Sequence, residues 1–412
     1  MKNIILATIM VGSLILMSSC GDTTTSRQSL KPYVPIVLTP VQTQQVQSDN
    51  SFAFDLMRNV NGGDTAKNVL ISPLSVSLAL AMTYNGAAGD TKTAMATAMR
   101  HSGYTTDEIN DYYKKIGNAL LTIDPSTQLK IANSIWTQKN FPVLQSFYDV
   151  NSSFYNASVQ SLDFAQPNAK DVINNWCGQN TNGKIPTIID KISDDVVMYL
   201  INAVYFKGIW ATQFNAALTS DGIFASPAGS VSVKYMKQDA DFNYFANDSV
   251  QCAELPYGNG AFSMVLMLPK TGVTVDNLLH QLNASTWNWW MANLSHVKLH
   301  VELPKFTATY AINLNDVLAN MGMSVAFTHA ADFTKINASG GLLISNVQHK
   351  AFIAVDEEGT EAAAVTSVEI GITAANPTAV IPFIVNRPFL LAIKEKSTGA
   401  ILFMGKLLNP SV

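Results

Sequence analysis

DEEGTEAAAVTSVEIGITAANPTAVIPFIVNRPF, residues 356–389, lies near the C-terminus of a 412-residue chain, between two segments with strand patterns. No Lys or Arg occurs between Lys350 and Arg387, and the residues after Glu361 are mostly Ala, Thr, Val and Ile. A short surface connection needs neither this length nor these apolar side chains. The stretch therefore indicates a function beyond joining two strands.

Alternate residues of this stretch fall on two different faces. The face that starts at Thr360 is small or apolar throughout, whereas the other face carries both carboxylates, Glu361 and Glu369. This period of two is typical of a strand with one buried face, although the Gly and Ala residues at its start are poor strand formers. Two interpretations fit equally well: an ordinary edge strand with a loop, or a slim strand that slides between existing strands.

The composition of the whole chain excludes several classes of protein. It is 48% hydrophobic and 14% charged, with a net charge of −4. Typical domains have about 25% charged residues, so this chain can bury a large core and is not expected to be disordered. No basic run occurs, so nucleic acid is not an expected partner. The length fits one large domain or two ordinary ones, and no shift of composition marks a second domain.

The N-terminus has the pattern of a targeting segment. A single Lys precedes an apolar run from Ile4 to Met17, and two Ser residues precede Cys20. The run is too short to span a membrane and fits a secretory signal. Small residues directly before a Cys resemble the lipobox of bacterial lipoproteins. We expect a signal peptide at 1–19 and a lipidated Cys20 at a bacterial outer membrane or cell surface; a plain signal peptide is the alternative.

Residues 20–48 are rich in Thr, Ser, Gln and Pro, which predicts a flexible tether from the lipid anchor to a folded body at 49–412. Beyond Cys20 only Cys177 and Cys252 remain, and their spacing leaves open whether they pair. No CxxC pattern occurs, so neither zinc nor dithiol chemistry is expected.

Helical patterns dominate the first third of the chain and strand patterns the remainder. Helices are predicted at 51–61, 72–89 and 172–185, the last one breaking at Asn182 and Gly183. Strands are predicted in these segments: 129–138, 197–210, 252–270 around a Gly-Asn-Gly turn, 297–314, 342–360 and 381–407. This distribution indicates an α+β architecture with large sheets.

Motifs of the common hydrolases and nucleotide-binding enzymes are missing from the sequence, so we expect neither an enzyme nor a cofactor. His296 and His300 have a spacing that suits a metal on a helix. Their segment alternates like a strand, however, where residues four apart lie too far from each other, so no metal site is expected.

Several segments resemble the serpin family. EEGTEAAA at 357–364 resembles the hinge of inhibitory serpins. Five further segments follow in the family's order: NVLISPLSVSLALAMTYNGAAGDT (68–91), INNWCGQNTNGKI (173–185), INAVYFKGIW (201–210), ELPYGNGAFSMVLMLP (254–269) and NRPFLLAIKEKSTGAILFMGKLLNP (386–410). Together with the lipobox, they point to a bacterial lipoprotein branch of the family.

The resemblance implies an α+β serpin fold, in which helices pack around three β-sheets and an exposed reactive-centre loop at 357–385 can insert into the large central sheet. In this family a target protease cleaves one bond of the loop and forms an acyl-enzyme. The N-terminal part of the loop then enters the sheet as an added strand. The trapped protease is distorted, so that deacylation stalls. We therefore expect a monomeric suicide-substrate inhibitor, not a catalyst.

The hinge composition favours inhibition over the alternative, a non-inhibitory carrier or interaction protein, because such serpins often have bulky, charged or Pro residues there. Gly359 supplies conformational freedom, and a large charged residue in place of Thr360 would block entry into the sheet. The family pattern assigns these residues to the hinge: Glu357, Gly359, Thr360, Ala362, Ala363, Ala364 and Val365.

Family spacing from Gly359 places the reactive bond at Thr373–Ala374, with Ile372 as the neighbour to watch. The segment that follows looks a few residues longer than the family pattern, which leaves a small shift open. Thr373 suits the shallow apolar pocket of elastase-like or subtilisin-like proteases, whereas the absence of Lys and Arg disfavours trypsin-like ones. Papain-like cysteine proteases are a weaker alternative through Ile372.

The resemblance also assigns residues to two regions that control the opening of the central sheet. Trp210 matches the breach, where the loop first enters; without the resemblance it would be a core residue. A second group matches the shutter, whose hydrogen bonds hold the central strands until they part: Ser72, Ser75, Asn202 and His349. His349 alone would be interpreted as a satisfied core histidine.

Overall fold

The computed structural model describes residues 31–193, 196–360 and 379–411. Within these ranges the α-helices are α1 Pro40–Gly63, α2 Pro73–Tyr84, α3 Gly89–Ala98, α4 Thr106–Leu120, α5 Gln145–Tyr155, α6 Ala169–Asn180, α7 Val275–Gln281, α8 Ala284–Ala292 and α9 Asn315–Leu318. The predicted break after α6 is confirmed, since Asn182 and Gly183 have φ values of 51° and 77°. None of these helices has the length and apolar character needed to cross a membrane.

Helix α1 begins earlier than the sequence suggested. Pro40 occupies its first turn, Thr39 Oγ1 accepts a hydrogen bond from the Gln42 amide at 3.2 Å, and the Gln42 side chain accepts one from the Thr39 amide at 3.1 Å. This capping box starts the helix. The prediction of a tether extending to residue 48 is therefore wrong for 40–48, where Gln45 and Val46 are already buried.

The β-strands of the described ranges form two hydrogen-bonded networks. The strands are β1 Val69–Ile71, β2 Gln128–Gln138, β3 Ser158–Leu162, β4 Met198–Ile209, β5 Ser220–Ser226, β6 Gly229–Ala246, β7 Val250–Tyr257, β8 Phe262–Pro269, β9 Ser295–Pro304, β10 Phe306–Asn313, β11 Gln348–Val355, β12 Gly359–Thr360, β13 Ile381–Ile384, β14 Phe389–Glu395 and β15 Ile401–Leu407.

The smaller network is a six-stranded sheet in the order β10-β11-β12-β4-β2-β3. In the larger network, β1-β15-β14-β8-β7-β6-β9-β13, strand β5 also pairs with β6. The 18-residue β6 joins two sheets, because it pairs with β5 and β9 along most of its length and with β7 only at its end. With the larger network divided at β6, the predicted architecture of helices around three sheets is confirmed.

Helix α2 lies between the two networks, in contact with β4 and β15. All twelve of its residues, PLSVSLALAMTY, are buried. The helix is rich in Leu, Ala, Val and Met and its polar side chains are all hydroxyls, so it has no strongly polar face to give solvent and belongs in the centre of a core. Its position brings Ser72, at its N-terminus, next to the central sheet.

Two predicted strands differ from the structure. The segment 297–314 is two strands, β9 and β10. The segment 342–360 yields a strand only from Gln348, because the Asn315 side chain donates to the Ser345 carbonyl and accepts from the Val347 amide, both at 2.9 Å. Leu342 and Ile344 are buried all the same. Their apolar pattern therefore reflects core packing without a sheet ladder.

Candidate functional site

The hinge begins with a tight turn between β11 and β12. The Asp356 carboxylate accepts hydrogen bonds from the amides of Glu358 at 3.0 Å and Gly359 at 3.2 Å. The Asp356 amide in turn donates to the Gly359 carbonyl at 2.9 Å. An Asp side chain that bonds the backbone two and three residues ahead stabilises a chain reversal. The sequence DEEG therefore turns the chain back along the central sheet.

Strand β12 lies between β11 and β4 in the middle of the central sheet. Thr360 pairs with Val355 on one side, and Gly359 and Thr360 pair with Ile209 and Gly208 on the other. Both pairings are antiparallel. The first two residues of the strand that the sequence predicts to insert are therefore already part of the sheet.

Gly359 is required by close contact with β4. A Cβ atom at this position would lie 2.0 Å from the Gly208 carbonyl oxygen and 2.7 Å from Ile209 Cα. Backbone atoms cannot move away as the end of a flexible side chain can. Only glycine lets β12 approach β4 this closely, which adds a steric requirement to the conformational freedom expected from the sequence.

Thr360 is fully buried against an aromatic pair. A hydrogen bond of 2.7 Å joins its hydroxyl to that of Tyr257, and the Tyr257 ring stacks on Trp210 with 4.4 Å between ring centroids. Burial raises the pKa of Tyr257 far above its usual value, so its hydroxyl stays neutral. A charged side chain at position 360 would lose its hydration there, and neither Tyr257 nor Trp210 would supply an opposite charge.

Trp210 also holds the turn itself. Its amide donates to the Glu358 carbonyl at 2.7 Å, and its indole Nε1 donates to the Asp356 carbonyl at 2.9 Å. The side chain is almost fully buried. Trp210 is thus a core residue that in addition bonds both ends of the hinge turn, at the place where the resemblance predicts loop entry.

Glu357 fastens the turn to the neighbouring sheet. Its carboxylate accepts hydrogen bonds from Lys305 Nζ at 2.6 Å and Thr219 Oγ1 at 2.8 Å, and its carbonyl accepts one from the Phe214 amide at 2.9 Å. Partial burial opposes ionisation of Glu357, but the hydrogen bonds from Lys305 and Thr219 outweigh it and lower the carboxyl pKa. We call Glu357, Lys305 and Thr219 the hinge clamp.

His349, at the other end of β11, contacts the start of α2. Its Nε2 accepts a hydrogen bond from the Ser72 amide at 3.1 Å, and Ser72 Oγ donates to the Leu402 carbonyl at 2.7 Å. Because Nε2 is an acceptor, the ring is neutral with its proton on Nδ1. Burial lowers the pKa of His349 to about 4, which agrees with a neutral ring.

The other two predicted shutter residues are Ser75 and Asn202. The Ser75 hydroxyl is buried and has no hydrogen-bond partner among the described residues. The backbone of Asn202 pairs with Asn133 between β4 and β2, and its side chain is not described. Of the four predicted shutter residues, the structure therefore brings Ser72 and His349 into direct contact.

Some predicted residues lie outside the described ranges, and these are Cys20, Ala362, Ala363, Ala364, Val365, Ile372, Thr373 and Ala374. Cys177 and Cys252 are buried free thiols, and burial raises the pKa of Cys177 to about 12. His296 and His300 lie on strand β9, as their alternation predicted. In the described part of the chain no cluster of side chains suits a metal ion.

Sequence reasoning missed three residues of this site: Lys305, Thr219 and Tyr257. Lys305 stands between two strands and Thr219 follows a short turn, so neither has a local pattern that indicates a partner in the hinge. Tyr257 belongs to the recognised segment ELPYGNG, which marks a turn but not the contact with Thr360.

Comparison with known proteins identifies one family over most of the chain. The family model described as "Serpin (serine protease inhibitor)" matches residues 47–410. The leukocyte elastase inhibitor of Xenopus tropicalis is 33% identical over 377 residues, which are 87% of this chain and 97% of that protein.

Solved structures agree with this match. The native state of the thermophilic serpin tengpin superposes with a TM-score of 0.84 at 33% identity, covering 94% of this chain and 98% of tengpin. Human thyroxine-binding globulin in complex with its ligand has a TM-score of 0.82 at 28% identity, covering 90% and 99%. The fold, the hinge turn inside its central sheet and these matches over nearly the whole body show that the chain belongs to the serpin family.

Proposed function

We propose that this serpin is an inhibitor that traps serine proteases as a suicide substrate. The supporting observation is β12, which pairs with β11 and β4 at once. A strand that starts between two others can grow along the same gap, and each added residue then gains backbone partners on both sides. The small residues from Ala362 onward suit that growth.

In the proposed mechanism the protease serine oxygen attacks the carbonyl carbon of Thr373. The bond to Ala374 breaks, its amine takes a proton from the protease histidine, and an ester links Thr373 to the protease. Insertion of the loop between β11 and β4 then carries the protease away before water can cleave the ester. The loop-out state survives because the strands part slowly, which is kinetic stability.

We propose elastase-like and subtilisin-like proteases as targets. Thr373 offers a small side chain, and the loop has no Lys or Arg for a trypsin-like pocket. The similarity to a protein named leukocyte elastase inhibitor supports the same class. Papain-like cysteine proteases, reached through Ile372, remain the weaker candidate.

The test is to mix the protein with pancreatic elastase or subtilisin and separate the products on a denaturing gel. We expect an SDS-stable complex and a released fragment whose mass begins at Ala374. Thr360→Arg should convert the inhibitor into a cleaved substrate, because an arginine cannot be buried beside Tyr257. Thr378→Arg is the matched control, since it lies after the reactive bond and should leave the complex intact.

Cleavage without any complex, for each protease tried, would contradict the proposal. That result would favour the second candidate, a non-inhibitory carrier, for which the likeness to thyroxine-binding globulin is the supporting observation. A complex whose fragment begins one or two positions from Ala374 would keep the mechanism and correct the reactive bond.

We further propose that the protein is an exported lipoprotein attached to a bacterial outer membrane or cell surface through Cys20. The apolar run before Cys20 supports this. Metabolic labelling with an alkyne fatty acid should label the wild-type chain and not Cys20→Ser. Cys177→Ser, which removes a buried thiol, should remain labelled. Equal labelling of all three chains, or of none, would contradict the anchor.

A further inference from the structure

A large cleft lies away from the hinge, bordered by the α1–β1 turn, the β5–β6 hairpin, the start of α7 and the β13–β14 connection. Its volume is about 950 Å³. Apolar side chains form much of the wall: Ala66, Pro227, Ala228, Val273, Val275 and Leu408. Ligand sites are typically apolar clefts of about 300–1,000 Å³ with a few polar groups that orient the ligand.

Arg387 is the unusual polar group of this cleft. Its Nε and Nη2 donate to the Pro269 carbonyl at 2.9 and 2.6 Å, and its Nη1 donates to the Asn386 side-chain oxygen at 3.1 Å. These acceptors are neutral, and no carboxylate of the described residues forms an ion pair with Arg387. A guanidinium has five N–H groups, so two of them remain for a ligand.

The other charged groups of the cleft have opposite partners. Lys67 pairs with Asp64 at 2.7 Å. Asp276 accepts a hydrogen bond from Asn61 at 3.0 Å and lies 3.7 Å from Lys406 Nζ. Arg387 therefore carries a half-buried positive charge that forms no ion pair with a carboxylate of the described residues. Desolvating a cation is costly unless an anion meets it, and the same burial lowers the pKa of Arg387.

We propose that this cleft binds an amphiphilic monocarboxylate, with its carboxylate on Arg387 and its hydrocarbon chain along the apolar wall. The planar guanidinium fork matches a carboxylate in shape and charge. A single negative charge fits best, because Asp276 on the same wall would repel a second one. The apolar lining suits a chain of CH₂ groups, each of which gains free energy on leaving water.

The ligand would also brace the segment that follows the reactive loop. Arg387 stands between β13 and β14, and the neighbouring Asn386 carbonyl accepts a hydrogen bond from the Ala225 amide of the β5–β6 hairpin at 2.8 Å. A molecule bound to Arg387 and to this hairpin would hold both in their native positions. Because it binds the native state, it should raise the unfolding temperature increasingly as its concentration exceeds its dissociation constant.

The test measures binding of decanoate and of decanol to the full chain carrying Cys20→Ser, purified without detergent, by calorimetry. Decanol has the same chain length and no charge. We expect decanoate to bind at least roughly tenfold more tightly than decanol, the difference made by one charge-assisted hydrogen bond. Arg387→Gln should remove that difference. Lys298→Gln, which removes a positive charge from an exposed site outside the cleft, should retain it.

Val273→Trp is a second variant that keeps the cation and fills the apolar wall, and it should weaken decanoate and decanol alike. If Arg387→Gln does not fold, Val273→Trp and the comparison of decanoate with decanol in the wild type test the proposal together. Decanoate binding no tighter than decanol in the wild type would overturn the proposal. So would decanoate binding that neither variant changes, because the acid would then bind elsewhere on the chain.

Discussion

Replacing Glu357 should accelerate the spontaneous loss of the native state. Glu357→Gln removes the charge that pairs with Lys305 at 2.6 Å and weakens the hydrogen bond from Thr219 at 2.8 Å. A hydrogen bond to a charged group contributes roughly 1.5–3 kcal/mol when buried. The Lys305 side chain is 38% exposed, so solvent screening reduces the ion pair. We therefore expect Glu357→Gln to weaken the hinge clamp by about 1 kcal/mol.

If the clamp contacts break before the sheet opens, this loss lowers the opening barrier directly. About 1 kcal/mol corresponds to roughly fivefold faster decay. Glu357→Lys also places two ammonium groups together, so about 2 kcal/mol and roughly thirtyfold faster decay are expected. The open gap between β11 and β4 would accept its own loop or that of another molecule. We therefore expect loop-inserted monomer and oligomers to accumulate.

The assay incubates each variant at one temperature and follows native monomer, inserted monomer and oligomer on native gels. Glu358→Gln is the matched control, because Glu358 is the neighbouring carboxylate and its pKa is raised by burial and by Asp356, so that neutralising it should not speed the decay. The reversed pair, Glu357→Lys with Lys305→Glu, should recover most of the stability. Decay of Glu357→Gln at the wild-type rate would refute the clamp.

Three further predictions test the hinge and the shutter. Gly359→Ala places a Cβ 2.0 Å from a backbone oxygen, so β12 should leave the sheet and limited proteolysis at the hinge should become faster. Tyr257→Phe leaves the buried Thr360 hydroxyl without its 2.7 Å partner, which should cost about 1–2 kcal/mol in urea unfolding. The pKa of His349 is lowered to about 4, so the folded state binds fewer protons and its stability should fall by about 2 kcal/mol from pH 7 to pH 5. His349→Gln should remove most of this loss of stability between pH 7 and pH 5. His329→Gln, which replaces an exposed histidine, should leave the loss unchanged.

Local sequence patterns predicted the elements better than their boundaries. The alternation in 297–314 and the Gly-Asn-Gly turn gave strands that the structure contains, since side-chain direction and turn geometry are local properties. Helix α1 was placed too late for a specific reason. Its Gln-rich start suggested a tether, yet the capping box of Thr39 and Gln42 with Pro40 was visible in the same residues.

The contacts of the site could not be predicted in the same way. Glu357 and Lys305 are 52 residues apart, and Thr360 and Tyr257 are 103 apart. Such pairs meet only after two sheets have assembled, and no local period encodes them. The family resemblance predicted the positions of Trp210 and His349 but not their partners. Those partners are two carbonyl groups of the hinge turn and the Ser72 amide. They are backbone groups that any sequence would offer.

The hinge clamp and the shutter contact act at opposite ends of β11. Val355 next to the turn and His349 are six positions apart, which is about 20 Å along a strand. The clamp holds the turn where β12 has already entered, while His349 and Ser72 tie the lower part of β11 to α2. In the proposed loop insertion, each added residue would move the opening from the first contact towards the second. If both contacts break in one rate-limiting step, their effects on the decay rate should add in free energy to within about 0.5 kcal/mol, as for distant sites. If clamp release is instead a rapid equilibrium before parting at the shutter, clamp variants raise the population of the unclamped state and His349 variants raise the rate at which that state opens, so both still accelerate the decay.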